Sequence, residues 1–182
     1  MQRGIRQGIE SQILMTSAEP VLRNLCLRIE PNEKIGIIGR TGAGKLSLFQ
    51  ALFRFTDRSL ITGHILIDDV DISRITLKLL RTHISIIPQQ AVLFSGSLQS
   101  NLDPFNHYSD GQCWKAFEDV QLKKFVSDHS ERLLLPIAES GIKLNAGQRQ
   151  LVPVARAILK QSKILLIDEA TANVDPATDT FI

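Results

Sequence analysis

Cysteine, tryptophan and long apolar runs are all scarce in this chain of 182 residues. Its two cysteines, Cys26 and Cys113, lie far apart without the spacing of metal ligands, which argues against a cysteine metal site. They favour a reducing environment and are expected to be two buried thiols. The longest apolar runs, such as Ile164 to Ile167, fall far short of the about 20 residues that span a bilayer, so no membrane-spanning helix is expected.

Neither sign of charge is concentrated in one part of the chain. The 21 basic and 19 acidic residues give a formal net charge of +2, and no long block of like charges occurs. A protein that tracks nucleic-acid phosphates normally carries a concentrated basic face, so no nucleic-acid partner is expected. Hydrophobic residues make up 43% and charged residues 22%, which argues against a disordered or fibrous chain.

The spacing of apolar residues predicts an α/β domain with a largely parallel sheet. Strand patterns occur at residues 24–29, 34–38, 63–70, 84–87 and 164–167, of which the second and the last are expected to be buried on both faces. Helical patterns cover residues 48–53 and much of 110–160, with Trp114, Phe117, Val120 and Phe125 as candidate buried positions. Strands that alternate with helices favour a parallel sheet, here with a helical insert near residues 92–155.

A glycine-rich segment lies between the strand pattern at 34–38 and the helical pattern at 48–53. It consists of Gly39, Arg40, Thr41, Gly42, Ala43, Gly44 and Lys45, which match a phosphate-binding loop. Glycines let the backbone approach an anion, the following helix presents its positive end, and Lys45 can reach the terminal phosphates. The bare pattern should occur by chance in roughly 5% of chains of this length. The surrounding sequence must therefore decide whether this segment is a phosphate-binding loop.

Two carboxylates supply that context, because Asp168 and Glu169 directly follow the strand pattern at 164–167. Asp168 is suited to hold Mg²⁺ directly or through water, and Glu169 to polarise an attacking water. A solvated acidic turn is the alternative interpretation. The glycine-rich segment earlier in the chain makes that alternative much weaker.

Further motifs resemble those of ATP-binding cassette (ABC) transporters. They are the signature segment Gly147-Gln148-Arg149-Gln150-Leu151, the glutamine loop Ile87-Pro88-Gln89, and the dimer-contacting loop Ala172-Asn173-Val174-Asp175. The segments Phe94-Ser95-Gly96-Ser97-Leu98 and Asn101-Leu102-Asp103-Pro104-Phe105 are similar to the second nucleotide-binding domain of the multidrug-resistance-protein-like subfamily. The resemblance covers roughly residues 20–182, after an irregular segment at residues 1–19.

This resemblance implies a fold, cofactors and partners. The fold is a P-loop core with a largely parallel sheet, a small antiparallel β subdomain and a helical subdomain at about residues 92–155, with an incomplete C-terminal part. The cofactors are ATP and Mg²⁺. The partners are a second nucleotide-binding domain, paired head to tail, and the transmembrane domains of a transporter, at the cytoplasmic face of a membrane. ATP binding and hydrolysis would then drive export of a small molecule or conjugate.

The resemblance also implies roles for individual residues. Phosphate contact is implied for Gly39, Arg40, Thr41, Gly42, Ala43, Gly44, Lys45, Leu46 and Ser47. Contact with the ATP of the partner domain is implied for Asn145, Ala146, Gly147 and Gln148. Asp168 and Gln89 would hold the metal, Glu169 and Gln89 would take part in catalysis, and Asp175 would contact the partner domain.

Several positions depart from the family pattern. Leu46 stands where a hydroxyl residue should ligate Mg²⁺, and Ser47 points about 100° away around the helix. Ala146 adds a methyl group to the signature segment, while Asn145 can still cap the following helix. Pro153 falls inside that helix, no aromatic residue precedes Phe49, and no histidine follows the dimer loop. The alternative function is therefore a degenerate or truncated nucleotide-binding module without efficient hydrolysis.

Overall fold

A computed structural model describes residues 14–15, 21–137 and 144–168 of the chain. The chain divides into two compact units, Met1–His83 and Ile84–Ile182. The first unit holds the glycine-rich segment, and the second holds the glutamine loop, the signature segment and the strand that ends in Asp168.

The described residues of the first unit form two short antiparallel strand pairs and two α-helices. Strand β1 (Leu14–Met15) pairs with β2 (Ile61–Thr62), and β3 (Leu66–Ile67) pairs with β4 (Val70–Asp71). The helices are α1 (Lys45–Leu52) and α2 (Leu77–His83), with 3₁₀ turns at Arg58–Leu60 and Ile72–Arg74.

Helix α1 forms where the sequence predicts it. Its apolar stripe places Leu48, Phe49 and Leu52 on one side, and all three are buried, as is Phe53 at the C-cap. Their burial fixes the orientation of the helix within the first unit. The glycine-rich segment at its N-terminus is therefore attached to a packed element.

The predicted strand at 63–70 is shorter than expected. Asp68 and Asp69 adopt positive φ angles of 52° and 64°, which is the geometry of a tight hairpin turn with a right-handed twist. The turn ends β3 at Ile67 and starts β4 at Val70. Aspartate tolerates this conformation better than most residues, which the apolar spacing alone did not reveal.

Two other strand predictions in this unit fail in different ways. At 24–29 the predicted alternation of burial is present, with Leu25 half-buried and Cys26 exposed, but only Leu25 forms a bridge. The expectation of a buried Cys26 thiol is therefore wrong, whereas Cys113 is buried as expected.

The buried strand predicted at 34–38 is also wrong, because these residues form no strand and Ile38 is 99% exposed. Burial on both faces requires covering layers that a local apolar run cannot specify.

The second unit contains a parallel and an antiparallel strand pair with a cluster of helices. The strands are β5 (Ile84–Ile87), β6 (Gly96–Ser97), β7 (Pro136–Ile137) and β8 (Ile164–Ile167). The α-helices are α3 (Leu98–Leu102), α4 (Asp110–Asp119), α5 (Lys123–Ser127) and α6 (Ala146–Lys160), with a 3₁₀ turn at Arg132–Leu134. Helix α6 packs against β5, α3 and α4, so it is central to this unit.

Strands β5 and β8 form the parallel pair that the sequence predicts. Ile84 lies opposite Ile164 and Ile87 opposite Ile167, so both strands end at the same edge. Pro88 follows β5 directly and cannot donate to a ladder, which ends the strand as predicted. The expectation that β8 is buried on both faces is wrong, because Leu165 on β8 is 49% exposed. The reason is that the described residues cover only one face of β8.

The helices of the second unit enclose a continuous apolar core. Of the candidate buried residues, Phe117 and Val120 are buried, while Trp114 and Phe125 are partly buried and pack against the same core. The helical pattern predicted over 110–160 is therefore confirmed for α4, α5 and α6. Within the described parts of the chain, no helix has both the length and the apolarity needed to cross a membrane.

Candidate nucleotide-binding site

The glycine-rich segment is a tight turn that leads directly into α1. The N–H group of Ala43 donates to the carbonyl of Arg40 at 3.0 Å, which closes the turn. Gly42 and Gly44 have φ angles of 82° and 88°, in the left-handed region where side chains are strained. The helix begins at the next residue, Lys45. The loop and helix arrangement that phosphate binding requires is thus present.

Gly44 has a second constraint besides its backbone angle. A Cβ atom at this position would lie 3.0 Å from Cγ1 of Val21 and 3.1 Å from Cδ2 of Leu22. A Cβ atom at Gly39 would lie 3.2 Å from the Cβ of Ala43. The segment therefore needs glycine for close packing as well as for its turn.

The N-terminus of α1 has no side-chain cap. Its N-cap residue is Gly44, no side chain caps the helix by a hydrogen bond, and the first turn carries no acidic residue. By contrast, α3, α4 and α6 each begin with a reciprocal capping box. The first N–H groups of a helix carry about half a positive charge. In α1 that charge is left without a side-chain acceptor at the place where an anion is expected.

Lys45 adds a positive charge to the same turn. Its ammonium Nζ donates to the carbonyl of Gly39 at 2.9 Å, so the side chain folds back over the loop. A phosphate oxygen could take the place of that carbonyl as the acceptor. Lys45 therefore brings its charge to the loop that the sequence predicts to bind phosphate.

The next two residues do not supply the expected metal ligand. The Leu46 side chain is 52% exposed and carries no oxygen, while Ser47 is half-buried on the following position of the helix. Nor do the described residues contain a group of three or more His, Cys, Asp or Glu side chains that could hold a metal ion. Position 46 therefore provides no ligand for the Mg²⁺ ion that the family pattern places there.

In the second unit, Gln89 and Asp168 lie at the same edge of the parallel strands. The backbone N–H of Asp168 donates to the carbonyl of Ile87 at 2.9 Å, so the end of β8 is fixed beside the start of the glutamine loop. The Asp168 residue is half-buried and Gln89 is exposed. The carboxyl ends of parallel strands are where ligands of open α/β sheets bind. Glu169 and Asp175 lie outside the described residues.

The signature segment forms the beginning of α6. The side-chain oxygen of Asn145 accepts from the N–H of Gln148 at 2.7 Å, and the side-chain oxygen of Gln148 accepts from the N–H of Asn145 at 3.0 Å. The capping role expected of Asn145 is confirmed. Ala146 and Gly147 form the first turn, and Pro153 lies inside the helix, which runs on to Lys160.

Two side-chain contacts near the glutamine loop were not predicted from the sequence. The side-chain amide of Gln150 on α6 donates to the carbonyl of Gln89 at 2.8 Å. Arg156 on the same helix donates to the carbonyl of Val92 at 2.9 Å and to Asn101. The signal that could have suggested them is a polar residue on the apolar, packed side of an amphipathic helix, since such a residue needs a partner.

A glycine turn that leads into an uncapped helix is typical of a phosphate-binding loop, and in the second unit the parallel strand β8 is followed by Asp168. The family model described as ABC transporter matches residues 22–172. The chain therefore belongs to the ABC transporter family. It is an ATP-binding domain of the multidrug-resistance-protein type, as the resemblance of its motifs predicted.

Individual relatives support this assignment. The chain is 54% identical over 165 residues to the probable multidrug resistance-associated protein lethal(2)03659 of Drosophila melanogaster, covering 91% of this chain and 12% of that protein. It is 51% identical over 162 residues to human ATP-binding cassette sub-family C member 4, covering 89% and 12%. It is 52% identical over 162 residues to multidrug resistance protein mrp-7 of Caenorhabditis elegans, covering 89% and 10%. The chain thus spans only a small part of these relatives.

A solved structure supports the α/β P-loop fold that the sequence predicts. A bacterial Atm1-family ABC exporter with ATP bound matches with a TM-score of 0.89 and 28% sequence identity. The match covers 100% of this chain and 32% of the exporter chain.

Proposed function

We propose that this chain binds ATP through residues 39–47 and hydrolyses it, as the part of an ABC exporter that couples ATP turnover to transport. The observation that carries the proposal is the uncapped N-terminus of α1 behind a glycine turn, with Lys45 folded over it. Backbone N–H groups, the helix dipole and an ammonium converge there on one anion. A triphosphate tail is the ligand that suits this combination.

Two oxygen donors for Mg²⁺ are proposed in the second unit. Asp168 would hold the cation directly or through water, and the side-chain amide oxygen of Gln89 would add a second donor. Mg²⁺ commonly keeps several waters and takes only one or two carboxylates together with phosphate oxygens, so this donor set fits the ion. Leu46 provides no donor, which leaves one more position to water. When bound, the ion would neutralise phosphate charge.

For hydrolysis, we assign Glu169 to polarise the attacking water and Gln89 to position it. The support is the order of motifs in a chain that belongs to the family, with Lys45, Gln89 and Asp168 intact. This favours an active domain over the alternative of a degenerate module. The leucine at position 46, where the family pattern has a hydroxyl residue, is expected to slow hydrolysis more than it weakens nucleotide contact.

The proposed partners follow from the likeness to exporters. A second nucleotide-binding domain would pair head to tail, so that Asn145, Ala146, Gly147 and Gln148 contact its ATP, and Asp175 contacts its loop. Transmembrane domains of the exporter would place the chain at the cytoplasmic face of a membrane. The exported molecule would be a small molecule or conjugate.

An ATP titration of the isotopically labelled chain tests the binding site. We expect the backbone amide signals of residues 39–45 to shift at millimolar ATP, and Lys45→Ala to weaken the shifts strongly. Unmoved signals in the wild type would overturn the proposal. Hydrolysis is measured as phosphate release in the presence of a competent partner domain, with Glu169→Gln as the control. Equal release from both chains would show that Glu169 has no catalytic role.

A further inference from the structure

Gln150 is a polar residue in the buried face of α6. It is only 7% exposed and lies among buried apolar residues such as Leu151 and Val154. Its side-chain Nε2 donates to the backbone carbonyl of Gln89 at 2.8 Å. One amide hydrogen bond therefore connects the beginning of α6 with the loop that follows β5.

The other half of the same amide has no partner among the described residues. Oε1 of Gln150 is buried and accepts no hydrogen bond from any described residue. Buried polar atoms without a partner are rare and unfavourable for folding. A leucine or methionine of similar size would avoid this cost. The stability of the fold therefore does not explain why residue 150 is a glutamine. Its hydrogen bond to the carbonyl of Gln89 does.

The two ends of this contact belong to segments with different proposed roles. Gln89 lies beside the end of β8, whose residue Asp168 is hydrogen-bonded to Ile87. Gln150 lies in the same helix as the capping pair Asn145 and Gln148. Under the proposed function, the first segment acts on the chain's own ATP and the second on the ATP of the partner domain.

We propose that Gln150 is a positioning residue that holds the backbone of Gln89 in place and links it to the signature segment. This inference rests on the proposed function, because that function gives Gln89 its role. A displacement of the N-terminal turns of α6 is transmitted to Gln89 through this bond. In its absence the backbone of Gln89 loses this connection to α6, while the contact of Arg156 with Val92 remains, so the loop is held less firmly at Gln89.

Two variants and one control test the link. Gln150→Leu and Gln150→Met remove the donor while keeping the volume of the side chain. Gln99→Leu is the matched control, because it removes an amide that donates to Asp110 at 2.8 Å elsewhere in the same unit. Thermal unfolding of each full-length chain shows that it is folded. We expect the Gln150 variants to be as stable as the wild type or more stable.

The first readout is backbone NMR relaxation of residues 89–91. We expect order parameters near about 0.85 in the wild type and the control, and below about 0.6 in both Gln150 variants. The second readout is the ATP titration. We expect the shifts of residues 39–45 to give the same affinity in all chains, whereas the ATP-induced shifts at residues 89–91 are smaller in both Gln150 variants than in the wild type and in Gln99→Leu.

The outcomes separate the two proposals. If residues 39–45 respond to ATP but residues 89–91 stay ordered and respond normally in both Gln150 variants, the positioning role is overturned and the proposed function stands. If residues 39–45 of the wild type do not respond, the proposed function is overturned, together with the role given to the link. Loss of order in Gln99→Leu as well would also overturn the specific role of Gln150.

Discussion

Arg156 of α6 holds Asn101 of α3 through both the backbone and the side chain of that residue. The guanidinium Nε donates to the Asn101 carbonyl, and Nη2 donates to its side-chain oxygen at 3.3 Å. Asn101 is 2% exposed, and its side chain accepts from the N–H of Phe94 and donates to the Phe94 carbonyl, both at 2.8 Å. Together the two residues fix the segment between the glutamine loop and α3.

We predict that Arg156→Lys lowers the free energy of unfolding by about 2 kcal/mol, because an ammonium cannot reproduce the forked contacts with Val92 and Asn101. Burial also lowers the pKa of the Arg156 guanidinium, because it removes part of the hydration of the charge. Urea unfolding measures the change. The control is Arg132→Lys, an exposed residue of the same unit, which is expected to alter stability by less than about 0.5 kcal/mol. Equal effects of both substitutions would contradict this account.

Gly44→Ala is predicted to disrupt the glycine turn. The left-handed conformation costs an alanine about 1 to 2 kcal/mol, and its Cβ would also press against Val21 at 3.0 Å. We expect lower stability in urea and loss of ATP-induced shifts at residues 39–45. Two controls separate the causes. Gly42→Ala has the backbone strain but open space around its Cβ, and Gly36→Ala has neither, so the expected effects decrease in that order.

The elements predicted correctly from the sequence depend on local chemistry. The glycine turn before Lys45, the Asn145 cap and the end of β5 at Pro88 each involve neighbours within a few residues. Such features are set by backbone conformation and short-range hydrogen bonds. Motifs that act locally therefore predict both the glycine turn and the start of the signature helix.

The features that the sequence could not predict depend on distant partners. The contact of Gln150 with Gln89 spans 61 positions, and that of Arg156 with Asn101 spans 55. The exposure of Ile38 likewise depends on which layers cover it, and an apolar run does not specify those layers. Glu169 and Asp175 lie outside the described residues, so the roles assigned to them stay predictions.

Leu46→Ser is predicted to strengthen Mg²⁺-dependent ATP binding. The substitution introduces a hydroxyl at the position where the family pattern has one, and the Leu46 side chain is 52% exposed, so little core packing is lost. We expect about tenfold tighter binding with Mg²⁺, which corresponds to about 1.4 kcal/mol, and unchanged binding when Mg²⁺ is chelated. Leu46→Ala, which removes the bulk without adding an oxygen, is the control. No difference between the serine and alanine variants would show that position 46 does not face the metal.

The hairpin of the first unit is predicted to lose stability in acid through Asp71. Burial raises the pKa of this carboxyl, but hydrogen bonds from Ser73 and His64, the latter at 2.8 Å, outweigh it and hold the pKa at about 2. Because the folded pKa lies below the unfolded value of about 3.9, the carboxylate stabilises the fold above pH 4. This stabilisation is lost as the pH falls from about 4 to about 2.

Asp71→Asn removes this pH dependence. We expect it to cost about 1 kcal/mol at pH 5, since His64 is 67% exposed and its charge is screened by solvent, and to cost almost nothing near pH 2. Urea unfolding at the two pH values measures the difference. Asp69→Asn is the control, because asparagine accepts the positive φ of 64° and Asp69 is exposed in the same turn. An equal pH dependence in wild type and Asp71→Asn would assign the acid sensitivity to other carboxylates.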